Sequence, residues 1–408
     1  MKLLRRLRCG PLLTGALALL VAVVFAQPAN SAGAPAVVVG VVMPLTGSLA
    51  AFGKTSLAGV ELAAREINAR GGVAGLGGAP VKLVVRDSTS EPAAAANATA
   101  RLIEQAHPVA IIGAYASALS LTASSVCERA GVPFVTMSFT DDLTSRGYHY
   151  TFQVVPKASV IGAAQVSYAA AIANRAGTPL KRIAIIYENT AYGTSQAQGL
   201  RRQAERLSLE VALFEAYPHG LTDAMGLVQK VLASRPEVLF PVSYFTDAVL
   251  IVRALAQSRA KPQIVAGAAG FVIPAFLEAL GPLTEGIMSV DTSNYDHYGK
   301  FEAAYQAAYH SFAPHEAYEN AISLYVIAAA LNAARRPTPA ALHAALSAID
   351  VHGGPFAGLP GGRVKFNASG LNESAYPIMV QWRAGNLATV WPREAARAAP
   401  AWRGQPLR

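Results

Sequence analysis

The sequence predicts an α/β protein of doubly wound parallel sheets, and three observations carry that prediction. Residues 37–43, VVVGVVM, and similar β-branched runs lack the alternation of a half-exposed strand and read as strands covered on both faces. Amphipathic helical stretches follow these runs, so strand and helix alternate along the chain. The opening order of strand, turn and helix returns about 140 residues later in RIAIIYENTAYGTSQAQGLRRQ, which points to two similar lobes.

Pro44 ends the first strand, and a Gly/Thr/Ser turn leads into a helix. Val60, Ala63, Ala64 and Ile67 fall at i, i+3, i+4 and i+7, so one face packs on the sheet while Lys54, Glu61, Arg65 and Glu66 stay in water. Gly71 and Gly72 stop the helix. Residues 71–80 are a glycine-rich connection, 81–86 a second strand, 93–106 a helix and 108–112 a third strand. The GLGG of this connection is a turn and not a dinucleotide fingerprint, because no strand leads into it and no helix follows. The next helix begins at Ser117 to Ser120, residues suited to N-capping, and 132–137 is the fourth strand. A second series of strands runs through Ile183, Val211, Val238 and Ile264, with helices after Gly193, Thr222 and Thr246. Pro274 opens a short helix and 286–291 is a strand. Helices are predicted over 299–312 and 316–334, then a third capped by Thr338 with Pro339 in its first turn. Residues 361–391 alternate like antiparallel strands around Asn-Ala-Ser-Gly and Ala-Gly-Asn turns.

At 408 residues, with 52% apolar and 14% charged residues, the chain has the material for large buried cores. Residues 1–34 read as a cleaved secretory signal: Lys2, Arg5, Arg6 and Arg8, an uncharged apolar stretch over 12–25, then small residues. That stretch is short of the roughly 20 residues that span a bilayer. Cys9 precedes the apolar core, which excludes it as a lipoprotein cysteine. Its removal leaves Cys127 alone, so no intramolecular disulfide is expected, and its helical spacing with Leu119, Thr122, Ala123, Val126 and Ala130 makes it a core thiol. The net charge of +9 includes four positive charges in the signal, and the rest are scattered, with no basic stripe of the kind that binds nucleic acid.

In open α/β sheets, ligands bind outside the carboxyl ends of the strands, where helix N-termini present free N–H groups. Phe52-Gly53 and Tyr192-Gly193 stand at matching strand-to-helix turns. Either pair alone is ordinary turn chemistry, but their matched placement gives each lobe an aromatic facing a shared cleft. No HExxH, P-loop, GxSxG or CxxC occurs after the signal, and His149, His297 and His352 are dispersed structural or surface residues. Neither an enzyme nor a metal or cofactor site is predicted.

The segments MPLTGSLAAFG, GVELAAREINARGG, IIGAYAS, GVPFVTMS, LTSRGYHYTFQ and IYENTAYG together resemble the substrate-binding proteins of branched-chain-amino-acid-type ABC transporters, within the type I periplasmic binding proteins. The likeness runs from Val37 to Trp391 in the family's order. It implies two doubly wound lobes joined by three hinge crossovers, closing over a ligand. The boundaries expected are 35–154 plus 291–352 for lobe 1, 155–290 plus 353–398 for lobe 2, and a tail of 399–408. It also implies a monomeric periplasmic receptor that delivers an amino acid-like or carboxylate-bearing solute to an ABC permease in the inner membrane. The alternative within the same fold is a sensor of amides or aromatic acids.

By that resemblance, Ser117, Ser138 and Thr140 hold the ligand's carboxylate, and Phe52, Tyr192 and Tyr244 contact it from the two lobes. One position departs from the pattern. Members that bind aliphatic α-amino acids carry a glutamate in a Gly-Pro-Glu-Gly-like turn, and here the turn reads Gly267, Ala268, Ala269, Gly270. Ala269 cannot pair with an ammonium. Either another carboxylate replaces it, with Asp247 and Asp291 nearest by topology, or the ligand lacks an α-ammonium.

Overall fold

The computed structural model of the chain describes residues 34–258 and 261–407. The signal predicted for residues 1–34, with Cys9, lies outside the described residues except for Ala34.

Five strands form the first sheet: β1 (Val37–Met43), β2 (Val81–Asp87), β3 (Ala110–Gly113), β4 (Phe134–Thr136) and β5 (Thr151–Gln153). They lie in the order β2-β1-β3-β4-β5 and all pair in parallel. Between them run α1 (Ala50–Ala69), α2 (Pro92–Ala106) and α3 (Ser117–Ala130). After β5 the chain forms α4 (Ala158–Arg175), a helix absent from the sequence reading. It then alternates through β6 (Arg182–Glu188), α5 (Ala191–Arg206), β7 (Glu210–Tyr217), α6 (Met225–Ala233), β8 (Val238–Val242), α7 (Phe245–Ala256), β9 (Gln263–Ala266), α8 (Pro274–Leu280) and β10 (Met288–Asp291).

The chain next returns to the first sheet as α9 (Lys300–Tyr309), α10 (His315–Ala334) and α11 (Pro339–Ser347), where α10 packs on α1 and reaches β3 and β4. A small hairpin of β11 (Asp350–His352) and β12 (Arg363–Lys365) carries it back to β13 (Ile378–Arg383) and β14 (Asn386–Trp391). The second sheet therefore reads β14-β13-β10-β9-β8-β6-β7, parallel through β10, with β13 and β14 antiparallel at its edge. The chain passes between the lobes after β5, after β10 and between α11 and β13, giving the three crossovers of the type I fold.

Close packing explains particular residues. A Cβ at Gly59 of α1 would lie 1.9 Å from the Ala317 carbonyl oxygen, so glycine permits the approach of α10. Thr338 caps α11 as predicted, accepting a hydrogen bond from Ala341 N at 3.3 Å. Cys127 is buried with a free thiol. The serine capping predicted for α3 does not occur: its N-cap is Ala116, and the serine hydroxyls bond across loops instead.

Candidate functional site

The carboxyl ends of the two sheets face each other, and aromatic rings from both meet there. Phe52, at the start of α1, stacks on Tyr115, which follows β3, at 4.7 Å between ring centroids. Tyr244, from the turn after β8, lies 5.8 Å from Phe52 and 6.1 Å from Tyr115. Tyr192, at the start of α5, lies 5.4 Å from Tyr244 and 6.0 Å from Phe139, which follows β4. All five side chains are buried, so each lobe's rings cover the other's. Such an arrangement suits an apolar side chain or an ammonium group.

Of the predicted carboxylate-binding residues, Ser117 and Thr140 come together, with Ser117 Oγ accepting from Thr140 N at 3.1 Å. Ser117 is the first residue of α3, at the positive end of the helix dipole. Tyr244 of the opposite lobe packs 6.1 Å from Tyr115, two residues before Ser117. The Ser138 hydroxyl is otherwise engaged, donating to the Tyr115 carbonyl at 2.6 Å and lying 2.6 Å from Ser120 Oγ. Ser120 Oγ in turn accepts from Ala114 N at 2.7 Å, so this pair fixes the Tyr115 loop, which has a φ of 63°.

In the second lobe, Ala268 and Ala269 both take positive φ, at 67° and 45°, with Ala268 N donating to Ser289 Oγ at 2.9 Å. The Tyr192 hydroxyl donates to the Gly267 carbonyl, which seats the ring against this turn. Ala269 is buried and brings no charge.

Both predicted ammonium partners have their oxygens occupied. Asp247 accepts from Gly220 N at 3.0 Å and Leu221 N at 2.8 Å. Asp291 accepts from Thr292 N at 2.6 Å, Ser293 N at 3.3 Å and the Tyr295 hydroxyl at 2.7 Å, and burial still pushes its carboxyl up to about 7. Glu188 accepts from Thr190 Oγ1 at 3.0 Å and Tyr244 N at 3.3 Å, and lies 3.2 Å from His219 Nδ1. That hydrogen bond raises the His219 pKa from its ordinary value. Glu188, His219 and Asp247 bring possible metal-ligand atoms within 4.8 Å of one another, but their hydrogen bonds already account for both carboxylates as anchors of the loops around Tyr244.

Sequence reading missed Tyr115, Phe139, Glu188 and the buried pair His315 and Glu316 at the start of α10. A cavity of about 1130 Å³ also opens beside Pro236, Gln263 and Gly286, at the amino ends of β8, β9 and β10. That is the end of the sheet opposite the aromatic cluster, where ligands of doubly wound folds do not bind.

Residues 36–386 match the model of the family described as periplasmic binding protein. The chain is also 33% identical over 374 residues to the Leu/Ile/Val-binding protein homolog 8 of Brucella abortus (strain 2308), covering 88% of this chain and 91% of the relative. The chain belongs to the periplasmic binding protein family. Solved structures share its fold. The leucine binding protein LivK of Thermotoga maritima MSB8 superposes with a TM-score of 0.76 at 22% identity, covering 86% of this chain and 97% of its own. LivJ of Streptococcus pneumoniae, in complex with isoleucine, gives 0.76 at 24% identity, covering 88% and 100%. A solute binding protein of an ABC transporter from Rhodopseudomonas palustris BisB5, in complex with 3,4-dihydroxy benzoic acid, gives 0.75 at 17% identity, covering 86% and 95%. Like these, the present periplasmic binding protein is α/β with two lobes, and no helix among its described residues is long and apolar enough to cross a membrane.

Proposed function

We propose that this periplasmic binding protein is the exported, monomeric solute receptor of an ABC importer, and that it captures a small amino acid-like or carboxylate-bearing ligand between its lobes. The observation that carries this reading is the meeting of Phe52 and Tyr115 from one lobe with Tyr192 and Tyr244 from the other, at the carboxyl ends of both sheets. The lobes are taken as 35–154 plus 291–352 and 155–290 plus 353–398, with 399–408 as a tail.

In this mechanism the ligand's anionic end docks at the N-terminus of α3, held by Ser117 and Thr140, while Ser138 holds the Tyr115 loop in place. Hydroxyls and helix N–H groups stabilise an anion without a buried cation. The Tyr244 ring now packs 6.1 Å from Tyr115, beside the start of α3. A carboxylate therefore displaces it, which requires the lobes to part and then close again. The closed form docks on a membrane permease of the inner membrane.

A second reading is a receptor for aromatic carboxylates or amides, favoured by the density of rings in the cleft and by a fold shared with the dihydroxybenzoate-bound protein. A thermal-shift screen of the ligand-stripped mature protein separates the two, because a ligand that binds only the native state raises the melting temperature. Aliphatic amino acids raising it supports the first reading. Aromatic carboxylates alone raising it supports the second, and silence across both classes and amides counts against a receptor for such solutes.

A further inference from the structure

We infer that the ligand carries an amine and that Glu316 of α10, with His315 beside it, receives that amine in place of the glutamate missing from the turn at 267–270. The inference rests on the receptor reading and names the class of its ligand.

The charges buried in this protein are of one sign. Among the described residues Glu188, Asp247, Asp291, Glu316 and Glu319 are buried, and no lysine or arginine is, although the whole chain carries a net charge of +9. Most of these carboxylates are occupied by donors of their own loops, as described for Glu188, Asp247 and Asp291. Glu316 differs. Its Oε1 accepts from Thr55 Oγ1 at 2.7 Å, and its Oε2 is buried without a hydrogen-bond partner. Next to it the imidazole of His315 is wholly buried, and neither of its nitrogens has a partner. His315 Nε2 stands 3.8 Å from Glu316 Oε2, and Nδ1 stands 3.8 Å from Asp291 Oδ1, both beyond hydrogen-bond length.

These unpartnered groups adjoin the aromatic cleft. The His315 ring lies 6.2 Å from Phe139. Thr55, which holds the other oxygen of Glu316, sits one helical turn after Phe52 on α1. After burial itself, Glu316 is the group that most raises the pKa of the Tyr115 hydroxyl. The amine site and the anion site at Ser117 and Thr140 therefore flank the same stacked pair, Phe52 and Tyr115. A zwitterion could span them.

Burial without a cation is costly for a carboxylate and favours its protonated form. It pushes Glu316 up to about 8, and it holds His315 down at about 3, so that His315 is neutral and cannot compete for the carboxylate as a cation. An entering ammonium supplies the missing counter-charge, so Glu316 gives up its proton to solvent and its Oε2 accepts a hydrogen bond from the ammonium, while neutral His315 accepts another. Glu319, one turn further along α10, shares the arrangement in part: its Oε1 takes the hydroxyls of Thr292 and Ser293, and its Oε2 is unpartnered.

The test uses the ligand-stripped mature protein and matched probe pairs that differ only in the amine: L-leucine with 4-methylpentanoate, L-phenylalanine with 3-phenylpropanoate, and L-glutamine with its des-amino acid. The expected result is binding of at least one amino acid and of none of the des-amino partners by calorimetry. Glu316→Gln should then weaken that amino acid about 100-fold, as expected for removing one partner of a buried charge pair, and abolish the discrimination within the pair. A des-amino acid bound within tenfold of its amino acid by the native protein overturns the inference, and so does a folded Glu316→Gln that keeps native affinity. Binding by neither member of any pair contradicts the amino acid receptor reading itself, and the inference falls with it. If Glu316→Gln does not fold, the matched pairs on the native protein decide.

Discussion

The Ser195 hydroxyl donates a hydrogen bond to Asp141 Oδ1 at 2.8 Å and lies 3.3 Å from the Asp141 amide, which donates back to it. Asp141 follows β4 in the first lobe, and Ser195 is the fifth residue of α5 in the second. The same carboxylate also accepts from Ser159 N at 2.9 Å at the start of α4. One aspartate of the first lobe thus ties two helix N-termini of the second, where a negative charge is favoured.

Asp141→Ala removes these bonds only from the closed form. Charge-assisted hydrogen bonds contribute about 1.5–3 kcal/mol when made, so we expect ligand affinity to weaken about tenfold while the melting temperature of the ligand-free protein changes little. Calorimetric titration checks this, and an unchanged affinity would remove Asp141 from the closure.

Gly270→Ala tests the turn that seats Tyr244. An added Cβ would lie 2.5 Å from Phe245 N and from the Tyr244 carbonyl carbon, so backbone must shift. Overpacking of this kind costs about 1–3 kcal/mol, and the shift would also move the Tyr244 ring in the cleft. Gly226→Ala is the control: it lies in α6 with nothing within 4 Å of the new Cβ, and should stabilise by about 0.5–1 kcal/mol. Urea unfolding of both variants should move the midpoint in opposite directions.

The stability of the ligand-free protein should fall as pH rises from 5 to 8.5. Burial pushes Asp291 up to about 7 and Glu316 up to about 8, and raises Glu188 and Glu319 as well. The native chain therefore keeps protons that the unfolded chain has already released. That contribution is complete below the ordinary carboxylate range and is lost as pH passes through the folded-state values. Buried His315, held down at about 3, works the other way as the unfolded chain's histidine loses its proton between about pH 5 and 7. One such group is outweighed by the four raised carboxyls. Asp87, where burial is overcome by hydrogen bonds from Thr46, Thr89 and Leu45 that lower its pKa, acts only at more acidic pH. Melting temperatures across this window should decline, and less steeply in Glu316→Gln. A rise with pH would contradict the protonated state of these groups.

Much of the fold was legible because β-branched runs and helical periodicity alternate. The helix Ala158–Arg175 escaped for a physical reason: it is rich in alanine, begins after Lys157 without a side-chain cap, and carries apolar residues such as Val160, Ala163, Ala170 and Ala171 outside its single buried face, so no apolar stripe stands out in the sequence. Thr151–Gln153 is only three residues long and reads as loop. The aromatic-glycine pairs found Phe52 and Tyr192. Tyr115 gave no signal, because its exposure to the cleft depends on a left-handed backbone held by Ser138 and Ser120. Glu316 looked like an ordinary acid in the first turn of a helix, and only the packing of α10 on α1 shows that it is buried.

Cys127 should be inert in the native protein. Its thiol is fully buried, and burial raises its pKa far above the usual range, so little thiolate forms. A thiol reagent such as DTNB should label it only after denaturation, and rapid labelling of the native protein would contradict a core position.

The most direct measurement is calorimetric binding of the solute found by the screen to native protein and to the Ser117→Ala, Thr140→Ala double variant. Binding should be lost in the variant while its far-ultraviolet circular dichroism and melting temperature stay close to native. A folded double variant with native affinity would contradict a ligand site between the lobes at the N-terminus of α3.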